Sequence, residues 1–404
     1  MITERRRDCV IAGGGPAGMM LGYLLARRGL RVTVLEKHAD FLRDFRGDTI
    51  HPSTITVLSE LGLRDRFLEL PLARVSTLDV VIDGERFSLV DFGTLPSPDD
   101  FLVFAPQWDF LDFLAREGAD LPGFELLMST AATGLLREGD RVVGVTATGP
   151  DGPVEIRASL TVAADGRAST LRDAARLHPL ELGVPIDVLW FHLPKPRNAP
   201  PPTLGYIDER GLVLTIDRAD YYQSGLVIAK GGFDELRAAG LPALRERLVA
   251  IAPVLAPVVD ALRDWDQVKL LSVQLDRLPQ WWGDGLICIG DAAHAMSPVG
   301  GVGVNYAIQD AVALANEVAT LLPNGPVPTS ALAAVQARRE RPVIRMQRIQ
   351  RFAHGRLNRP LSRAGRAVPR PARAVLRLTQ PLVRRAMARL IGLGFLPEHV
   401  RSGP

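Results

Sequence analysis

The sequence predicts an α/β fold with an added α+β layer and a C-terminal helical segment. Two glycine-rich stretches, one after an apolar strand near residue 10 and one after residue 285, predict the α/β part. Strand-like stretches between about residues 175 and 275, interrupted by a single helical pair, predict an antiparallel layer.

The predicted elements follow this plan along the chain. After a βαβα start over residues 1–70, alternation and turn residues predict strands at 78–82, 87–90, 102–104, 124–128 and 156–163, a helix at 108–116, and a hairpin of 133–136 with 142–146. The predicted antiparallel sheet contains strands 188–193, 212–216, 222–228 and 268–273, and the helices 233–239 and 241–252 interrupt it.

The first glycine-rich stretch has the spacing of a dinucleotide-binding fingerprint. Gly13, Gly15 and Gly18 form a G-x-G-x-x-G pattern between an apolar strand and a helix predicted over residues 19–28. Gly13 permits a tight turn, Gly15 lets the backbone approach a pyrophosphate, and Gly18 lets the helix pack on the strand. The stretch therefore predicts a Rossmann-like βαβ unit whose helix N-terminus faces an anion.

The second strand, residues 31–36, ends in Glu36, eighteen residues after Gly18. A carboxylate at this point binds ribose hydroxyls and repels a 2′-phosphate. NADP is therefore not expected at this site, which leaves NAD or the ADP half of FAD.

The late stretch separates FAD from NAD. Residues 286–289 read as a buried strand that ends at Gly290 and Asp291, where Asp291 can bind a polyol hydroxyl. Three glycines at positions 300, 301 and 303 then precede a helix predicted over residues 306–321. Their backbone N–H groups can touch a flat ring or an anion, and the alternative is an ordinary glycine-rich helix entry.

These motifs, together with Asp165 and Gly166, resemble the FAD-dependent aromatic hydroxylases of the para-hydroxybenzoate hydroxylase type, which are single-component flavoprotein monooxygenases. The resemblance runs from about residue 8 to about residue 341. It implies that Asp165 and Gly166 serve both FAD and the nicotinamide cofactor, and that Gly290 and Asp291 hold the ribose or ribityl region of FAD.

The same resemblance implies FAD contacts for Arg46 and Gln107, a proline beside the flavin ring at Pro298, and a residue near its pyrimidine edge at Asn305. For Arg46 and Gln107 the alternatives are a surface ion pair and a helix cap. The expected cofactor-binding set is Gly13, Gly15, Pro16, Ala17, Gly18, Glu36, Lys37, Arg46, Gln107, Asp165, Gly166, Gly290, Asp291, Pro298, Gly301, Gly303, Val304 and Asn305, with Pro298, Gly300 and Gly301 beside the ring.

The expected function is that of a monooxygenase with non-covalent FAD. The sequence has no second G-x-G-x-x-G, no C-x-x-C pair and no metal-ligand spacing, so the flavin is expected to carry the chemistry. NADPH or NADH is expected as the transient reductant of the flavin, and the reduced flavin is expected to react with O₂ to give a C4a-hydroperoxide that hydroxylates an aromatic or polyketide-like small molecule. Candidate contacts of the nicotinamide nucleotide are Arg46, Arg167 and Arg172. The alternative is a flavin-dependent reductase or oxidase without oxygen insertion. No catalytic side chain is assigned.

Candidate substrate contacts come from the antiparallel layer. They are Trp190, His192, Tyr206, Tyr221, Tyr222 and Gln223, and ordinary sheet packing is the alternative for each. His192 is a candidate base that could deprotonate a phenol, and the alternative is that it is an ordinary solvent-facing histidine on a strand. His294, beside the Gly-Asp motif, is expected to be structural.

Composition places limits on the class of protein. The chain has 404 residues, 47% of them hydrophobic, which is enough for about two domains. Cys9 and Cys288 lie in predicted buried strands, so inert thiols in a reducing cytoplasm are expected. The sequence shows no signal peptide and no apolar run of the roughly 20 residues that span a bilayer.

The tail is strongly basic. Residues 338–404 contain seventeen arginines and only two acids, Glu340 and Glu398. We expect the tail to pack on the acidic body of the chain, and weak contact with an anionic membrane surface or a partner is the alternative. Nucleic acid is not expected, because no aromatic residues interleave the arginines.

Prolines at positions 342, 360, 369, 371 and 381 predict that the tail is divided into short helices. The last of these, over about 381–395, carries an apolar face of Val383, Met387, Leu390 and Ile391, with Arg385 and Arg389 largely opposite. The sequence thus predicts three units: an FAD-binding domain of 1–72 with 105–175 and 276–337, a substrate-binding sheet domain of 73–104 with 176–275, and the basic helical segment 338–404.

Overall fold

The computed structural model describes residues 3–42, 49–96, 98–199, 203–218, 221–357 and 370–401. The helices are α1 Pro16–Ala26, α2 Pro52–Glu60, α3 Arg64–Leu68, α4 Gln107–Ala119, α5 Thr170–Ala174, α6 Phe233–Ala239, α7 Leu241–Ile251, α8 Gly303–Val318, α9 Thr329–Leu357 and α10 Arg370–Ala388. The strands are β1 Thr3–Ala12, β2 Val32–Leu35, β3 Thr49–Ile50, β4 Ala73–Val75, β5 Thr77–Ile82, β6 Glu85–Asp91, β7 Leu102–Phe104, β8 Phe124–Leu127, β9 Ala131–Glu138, β10 Arg141–Gly149, β11 Gly152–Ala163, β12 Leu180–Glu181, β13 Ile186–Pro194, β14 Gly205–Asp208, β15 Gly211–Asp217, β16 Tyr221–Ala229, β17 Lys269–Leu271, β18 Asp276–Arg277, β19 Trp282–Gly283 and β20 Leu286–Cys288.

The first sheet has the order β19-β20-β11-β1-β2-β8, and the strands from β20 to β8 are parallel to one another. Strand β2, with the sequence Val-Thr-Val-Leu, is buried at all four positions, as expected for a parallel strand covered on both faces. The predicted hairpin is present as β9 and β10, which extend this sheet beside β11. Because parallel strands run in one direction, the carboxyl ends of β1, β2, β11 and β20 meet at one edge.

The second sheet has the order β17-β13-β16-β15-β14-β5-β6. Its pairs from β13 to β15 are antiparallel, as predicted. One face, here called the outer face, packs Leu189 and Phe191 against α7. The opposite face, here called the inner face, packs Val188 and Trp190 against Phe104 of β7.

The range 73–104, predicted to belong to the substrate-binding sheet domain, divides between two sheets, and only its strands β5 and β6 join the second sheet. Strands β4 and β7, within the range 73–104, pair with β3 in a separate small sheet. In chain order, β5 and β6 of the second sheet lie between β4 and β7 of this small sheet. The division of the chain into the three predicted domains stays a prediction.

Two helices near the glycine motifs begin three residues earlier than predicted. Helix α1 starts at Pro16 and α8 starts at Gly303. The first N–H groups of a helix have no intrahelical partner, so proline and glycine are tolerated in the first turn. Their low helix propensity misplaced both predicted starts.

The prediction that prolines divide the tail is wrong at two positions. Helix α9 continues through Pro342, and α10 continues through Pro381. An interior proline costs about 3 kcal/mol in an isolated helix, but Val335, Val343 and Met346 of α9 are buried against the body. The burial of these side chains therefore outweighs the cost of the proline within the helix. Pro360 and Pro369 lie outside the described residues, and Pro371 occupies the first turn of α10, where proline is tolerated.

The end of the chain packs on acidic residues, which confirms the expected intramolecular role of the tail. Arg377 pairs with Glu85 of β6, and Arg384 lies 3.6 Å from Asp91. After α10 the backbone forms a π-helical turn, Arg389–Leu393, rather than the continuous helix predicted to residue 395. Within the described ranges, no helix is both long enough and apolar enough to cross a membrane.

Candidate functional site

The three glycines of the turn after β1 differ in their surroundings: two are packed against backbone atoms, and one has open space beside it. A Cβ on Gly13, whose φ is +109°, would lie 2.2 Å from the Ala164 carbonyl oxygen, and one on Gly18 would lie 2.0 Å from the Gly13 carbonyl oxygen. A Cβ on Gly15 would meet no protein atom within 4 Å. Gly15 is also the N-cap of α1 and offers no side-chain cap, so no capping side chain satisfies the first free N–H groups of α1, which follow Pro16. Pro16 and Ala17 form the first turn.

Glu36 lies at the carboxyl end of β2 and is 8% exposed. Its Oε2 accepts a 3.2 Å hydrogen bond from the Gly14 N–H, and its Oε1 accepts from the His38 N–H at 3.0 Å. The carboxylate therefore sits beside the glycine turn, at the place predicted for ribose recognition. Lys37, the next residue, is exposed.

The turn after β11 is organised by Asp165. Its carboxylate accepts hydrogen bonds from Ser169 Oγ and from the Leu171 N–H. Burial raises the pKa of Asp165 above its ordinary value, although these donors act in the opposite direction. Gly166 has a φ of +85°, and a Cβ added there would meet no atom within 4 Å. Asp165 thus holds the turn from inside, while Gly166 faces open space.

An ion pair joins this turn to the late motif. Arg167 Nε lies 3.0 Å from Asp291 Oδ2, and both side chains are partly exposed. Arg172 is 5% exposed, and its guanidinium donates to the carbonyl oxygens of Ala292 and Arg167. Arg172 therefore stabilises the two loops from within, and does not present the surface cation that was expected for the nicotinamide nucleotide.

A buried charge cluster supports Gly290. Asp310 of α8 is fully buried and accepts hydrogen bonds from the Gly290 N–H at 3.1 Å, from His294 Nε2 at 2.6 Å and from Arg339 Nε at 3.0 Å. Burial alone would raise the pKa of Asp310, but His294 and Arg339 lower it below its ordinary value. His294 is therefore structural, as expected. Arg339 also lies 3.6 Å from Glu398, near the end of the chain.

The loop before α8 contains two glycines with different surroundings. Gly300 and Gly301 both have positive φ, at +84° and +63°. A Cβ on Gly301 would lie 2.6 Å from Thr49 Oγ1, which donates a 3.0 Å hydrogen bond to the Gly301 carbonyl oxygen. A Cβ on Gly300 would meet only Val302, at 3.6 Å. Gly301 therefore packs on β3, and Gly300 is the exposed position. Pro298 is half-buried and accepts from the Gly301 N–H.

Asn305 uses its side chain within the protein. Its Oδ1 accepts from the His51 N–H at 2.9 Å and from Thr54 Oγ1 at 2.7 Å, and its Nδ2 donates to the Thr49 carbonyl oxygen. Contact between this side chain and a flavin stays a prediction. The N-terminus of α8, with Gly303 and Val304 in its first turn, has no side-chain cap.

His51 connects the glycine loop to the end of the chain. It is fully buried, with Nδ1 2.7 Å from the Ile391 carbonyl oxygen and Nε2 3.2 Å from Thr49 Oγ1. A carbonyl oxygen only accepts, so Nδ1 carries the proton in the neutral ring and Nε2 must accept. The single Thr49 hydroxyl proton is then shared between His51 and Gly301. Burial lowers the pKa of His51 to about 4.

Helix α9 supplies three polar residues that the sequence analysis missed. Gln347, Gln350 and His354 are each about 1% exposed and lie on one helix face. Gln350 hydrogen bonds both Ser297 and Val299, and His354 Nε2 lies 2.7 Å from Ser297 Oγ. They hold the segment that leads to the glycine loop. Their i, i+3, i+7 spacing in the sequence is a signal of a polar helix face, but these residues lie among the arginines of the basic tail, which hide the pattern.

Two expected cofactor contacts remain to be placed. Gln107 begins α4 and is partly exposed, and its side-chain amide has no hydrogen bond to the described part of the chain. It lies at N1 of the helix, after the N-cap Pro106, so the alternative of a helix cap is not seen. Arg46 lies outside the described residues. No group of three potential metal ligands occurs among the residues described.

The six candidate substrate residues divide between the two faces of the second sheet. Trp190 packs on the inner face, and the sheet register places His192, Tyr221 and Gln223 on that same face. Tyr206 and Tyr222 pack on the outer face with α7, so their alternative interpretation as core residues is confirmed. Trp190 lies over Gly225, where a Cβ would come within 3.0 Å of the indole ring. The inner face therefore combines an indole, an imidazole, a phenol and an amide.

This geometry agrees with the comparison against known proteins. Residues 6–348 match the FAD binding domain family. The chain belongs to this family. The FAD binding domain family includes FAD-dependent monooxygenases, and this chain is accordingly an FAD-dependent oxidoreductase of the monooxygenase type, with FAD as its cofactor.

Two curated relatives and one solved structure illustrate the likeness. The chain is 32% identical to 6-methylpretetramide 4-monooxygenase of Streptomyces rimosus, over 98% of this chain and 94% of the relative. It is 30% identical to 12-dehydrotetracycline 5-monooxygenase/anhydrotetracycline 6-monooxygenase of Streptomyces rimosus subsp. rimosus, over 76% of this chain and 62% of that relative. The structure of anhydrotetracycline hydroxylase from Streptomyces rimosus superposes with a TM-score of 0.77 at 23% identity, over 99% of this chain and 78% of that one, and so shows the shared fold.

Proposed function

We propose that this chain uses NAD(P)H and O₂ to hydroxylate a fused-ring aromatic polyketide. The substrate class is supported by the two relatives, whose names refer to a pretetramide and to tetracycline compounds. The observation that carries the proposal is the inner face of the second sheet, where Trp190, His192, Tyr221 and Gln223 lie together. An aromatic wall with a few polar groups suits a flat, hydroxylated ring system.

The turns at the carboxyl ends of β1, β2, β11 and β20 fit FAD. Open space at Gly15 and the uncapped start of α1 suit a pyrophosphate. Glu36 would accept from ribose hydroxyls, and Asp291 would accept from a polyol hydroxyl. The uncapped start of α8 and the exposed Gly300 would lie against the ring. When bound, FAD supplies the electron transfer and oxygen activation that side chains do not provide.

The protein's own contribution is to orient the substrate and to exclude water. Gln223 accepts a 3.2 Å hydrogen bond from Arg218, whose guanidinium lies 5.9 Å from the Phe104 ring. This contact ties the inner face to β7, just before α4. Met387, from α10, packs in the same cluster as Trp190, so the tail helps close the apolar side of the face.

The test is NAD(P)H oxidation by the purified holoenzyme with a panel of simple phenols and aromatic polyketides. We expect consumption of O₂ and a product heavier by one oxygen atom, labelled when labelled O₂ is used, with polyketides preferred. Oxidation of the added compound without oxygen incorporation would instead support the reductase or oxidase alternative.

A pair of variants tests the inner face. Gln223→Leu should raise KM for the substrate at least about fivefold, because one hydrogen bond is typically worth about 1 kcal/mol and an unpaired partner costs more. Tyr206→Phe, on the outer face, is the matched control and should leave KM unchanged. Equal effects of both variants would contradict the assignment.

We also propose a cytoplasmic location. Cys9 and Cys288 are both free and fully buried thiols. They lie on β1 and β20, with β11 between them, so neither can reach the other. Detection of the protein in a cytoplasmic fraction of its own cells would test this location.

A further inference from the structure

Helix α10 has two apolar faces, and only one of them is covered. The covered face packs Leu376 against the β5–β6 hairpin and Met387 and Ala388 against the inner-face cluster. Val383, Met387, Leu390 and Ile391, the face that the sequence predicted, are all partly buried. Met387 and Ile391 pack in the cluster that contains Trp190, and Leu390 packs in the core that contains Tyr306. The apolar face expected to meet a membrane or a partner is therefore used within the protein.

The second apolar face of α10 points to solvent. Val375, Leu378 and Leu382 are 59%, 83% and 75% exposed. Their spacing of three and four residues places them in one stripe, which we call the outward stripe. Three apolar side chains this exposed along one helix, a valine and two leucines, are unusual in a surface that meets only water.

The charges around the outward stripe have one sign. Arg385 and Arg389 are exposed and follow the stripe by three and seven residues from Leu382. Between residues 341 and 397 the sequence contains fourteen arginines and no aspartate or glutamate. An occupant of this face must therefore be apolar in part and anionic.

We propose that the outward stripe and its arginines dock the protein reversibly on an anionic lipid surface. An amphipathic helix with apolar and basic side chains lies in the plane of such a surface, with the leucines in the acyl boundary and the guanidinium groups at the headgroups. A second copy of the chain fits less well. A two-fold contact through this stripe would place the arginines of one α10 close to those of the other, and α10 contains no acid to neutralise them.

This docking leaves the cofactor turns undisturbed, because α10 contacts the rest of the protein through β6 and the inner-face cluster. The ion pairs of Arg377 with Glu85 and of Arg384 with Asp91 fix the helix on its covered side. The contact is expected to be weak, since three apolar side chains are few, and to weaken further with salt. Docking would bring the enzyme to a lipid surface into which a poorly water-soluble ring system, such as the proposed substrate, would partition.

The test is co-sedimentation of the full-length holoenzyme with vesicles of phosphatidylglycerol and phosphatidylcholine, compared with phosphatidylcholine alone. We expect binding to the anionic vesicles only, reduced by salt. Arg385→Gln with Arg389→Gln should weaken binding about 25-fold, since each arginine near an anionic surface contributes about fivefold. Leu378→Ser with Leu382→Ser should abolish it. Leu270→Ser and Arg263→Gln, at exposed positions elsewhere, are the controls and should bind like wild type.

Three results would overturn the proposal. Wild-type protein that stays in the supernatant with anionic vesicles excludes a lipid surface. Binding that survives both double substitutions places the contact elsewhere. A wild-type dimer in sedimentation velocity that becomes a monomer in the Leu378→Ser and Leu382→Ser variant assigns the stripe to a second copy. Monooxygenase turnover of a soluble substrate without vesicles should stay unchanged in every variant, which separates this test from that of the proposed function.

Discussion

Arg167 and Asp291 form an ion pair, Nε to Oδ2 at 3.0 Å, across 124 residues of sequence. The pair joins the turn after β11 to the turn after β20. Because Asp291 is also a predicted contact of the cofactor, its carboxylate has two tasks, one toward a neighbouring loop and one toward a hydroxyl. Arg167 orients the carboxylate before ligand arrives.

The Asp291→Ala substitution should therefore weaken FAD retention. Loss of a hydrogen bond to a charged group costs about 1.5–3 kcal/mol, or roughly 10- to 150-fold in affinity. Titration of apoprotein with FAD, followed by flavin fluorescence, measures the change. Asp284→Ala is the control, because Asp284 pairs with Arg141 at the surface, 2.6 Å away. An unchanged affinity in Asp291→Ala would remove this residue from the site.

Gly13 and Gly15 should respond to alanine in opposite ways. Gly13→Ala places a Cβ 2.2 Å from the Ala164 carbonyl oxygen at a positive φ, so unfolding should become easier by more than about 2 kcal/mol. Gly15→Ala points into open space and should change stability by less than about 0.5 kcal/mol while reducing FAD affinity at least tenfold. Thermal unfolding of both apoproteins and FAD titration separate the two effects. Equal destabilisation would be inconsistent with this geometry.

The Gly301→Ala substitution should destabilise the fold through Thr49. Both Gly300 and Gly301 have a positive φ, which costs a non-glycine residue about 1–2 kcal/mol. Only at Gly301 does the added Cβ also approach Thr49 Oγ1, at 2.6 Å. Gly300→Ala is the matched control and should lose less stability. In a double-mutant cycle, Thr49→Ala should partly rescue Gly301→Ala, and strict additivity would contradict the contact.

Removal of Arg339 should be severe, although the residue belongs to the basic tail. Arg339→Met leaves Asp310 buried with a carboxylate that has lost one partner, which typically costs about 3–5 kcal/mol. Arg341→Met, two residues later and exposed, is the control and should be nearly neutral. Denaturant unfolding gives the difference. A small loss in Arg339→Met would mean that His294 alone suffices for Asp310.

Protonation of His51 should couple stability to pH. The folded-state pKa of about 4 lies below the ordinary value of 6.5, so between these values the unfolded chain binds a proton that the folded chain rejects. As far as His51 is concerned, the free energy of unfolding is therefore highest above pH 6.5, falls as the pH is lowered from 6.5 to about 4, and falls no further below about pH 4. Unfolding free energies from pH 8 to pH 4 should show a shallower decline in His51→Asn. His178→Asn, at an exposed position, should follow wild type. Identical curves for His51→Asn and wild type would contradict the burial argument.

Local sequence patterns predicted the cofactor edge of the fold well. Glycine spacing, strand periodicity and the position of Glu36 each involve residues within one βαβ unit, where neighbours in sequence are neighbours in space. Gly301 shows the limit of such reasoning: its glycine was expected to make room for a ring, whereas the described structure shows it making room for Thr49.

Long-range relationships were not predictable in this way. The buried pairing of Asp310 with Arg339 joins two helices, and the support of Ser297 by Gln350 crosses 53 residues. The charged and polar residues in these pairs are of the same types that occur at exposed positions, so the sequence pattern does not indicate that they are paired and buried. Pro342 misled for a related reason, since its local cost is offset by burial of the helix around it.

The buried cluster around Asp310 also orders events during synthesis. The Gly290 turn is hydrogen bonded to Asp310, Asp310 needs Arg339, and Arg339 contacts the Leu396 carbonyl oxygen and Glu398. The N-terminal βαβ unit can fold as it emerges, whereas the Gly290 turn is fully supported only once residues 396–398 have been made and have packed on the cluster, so the flavin site is expected to be completed late in synthesis.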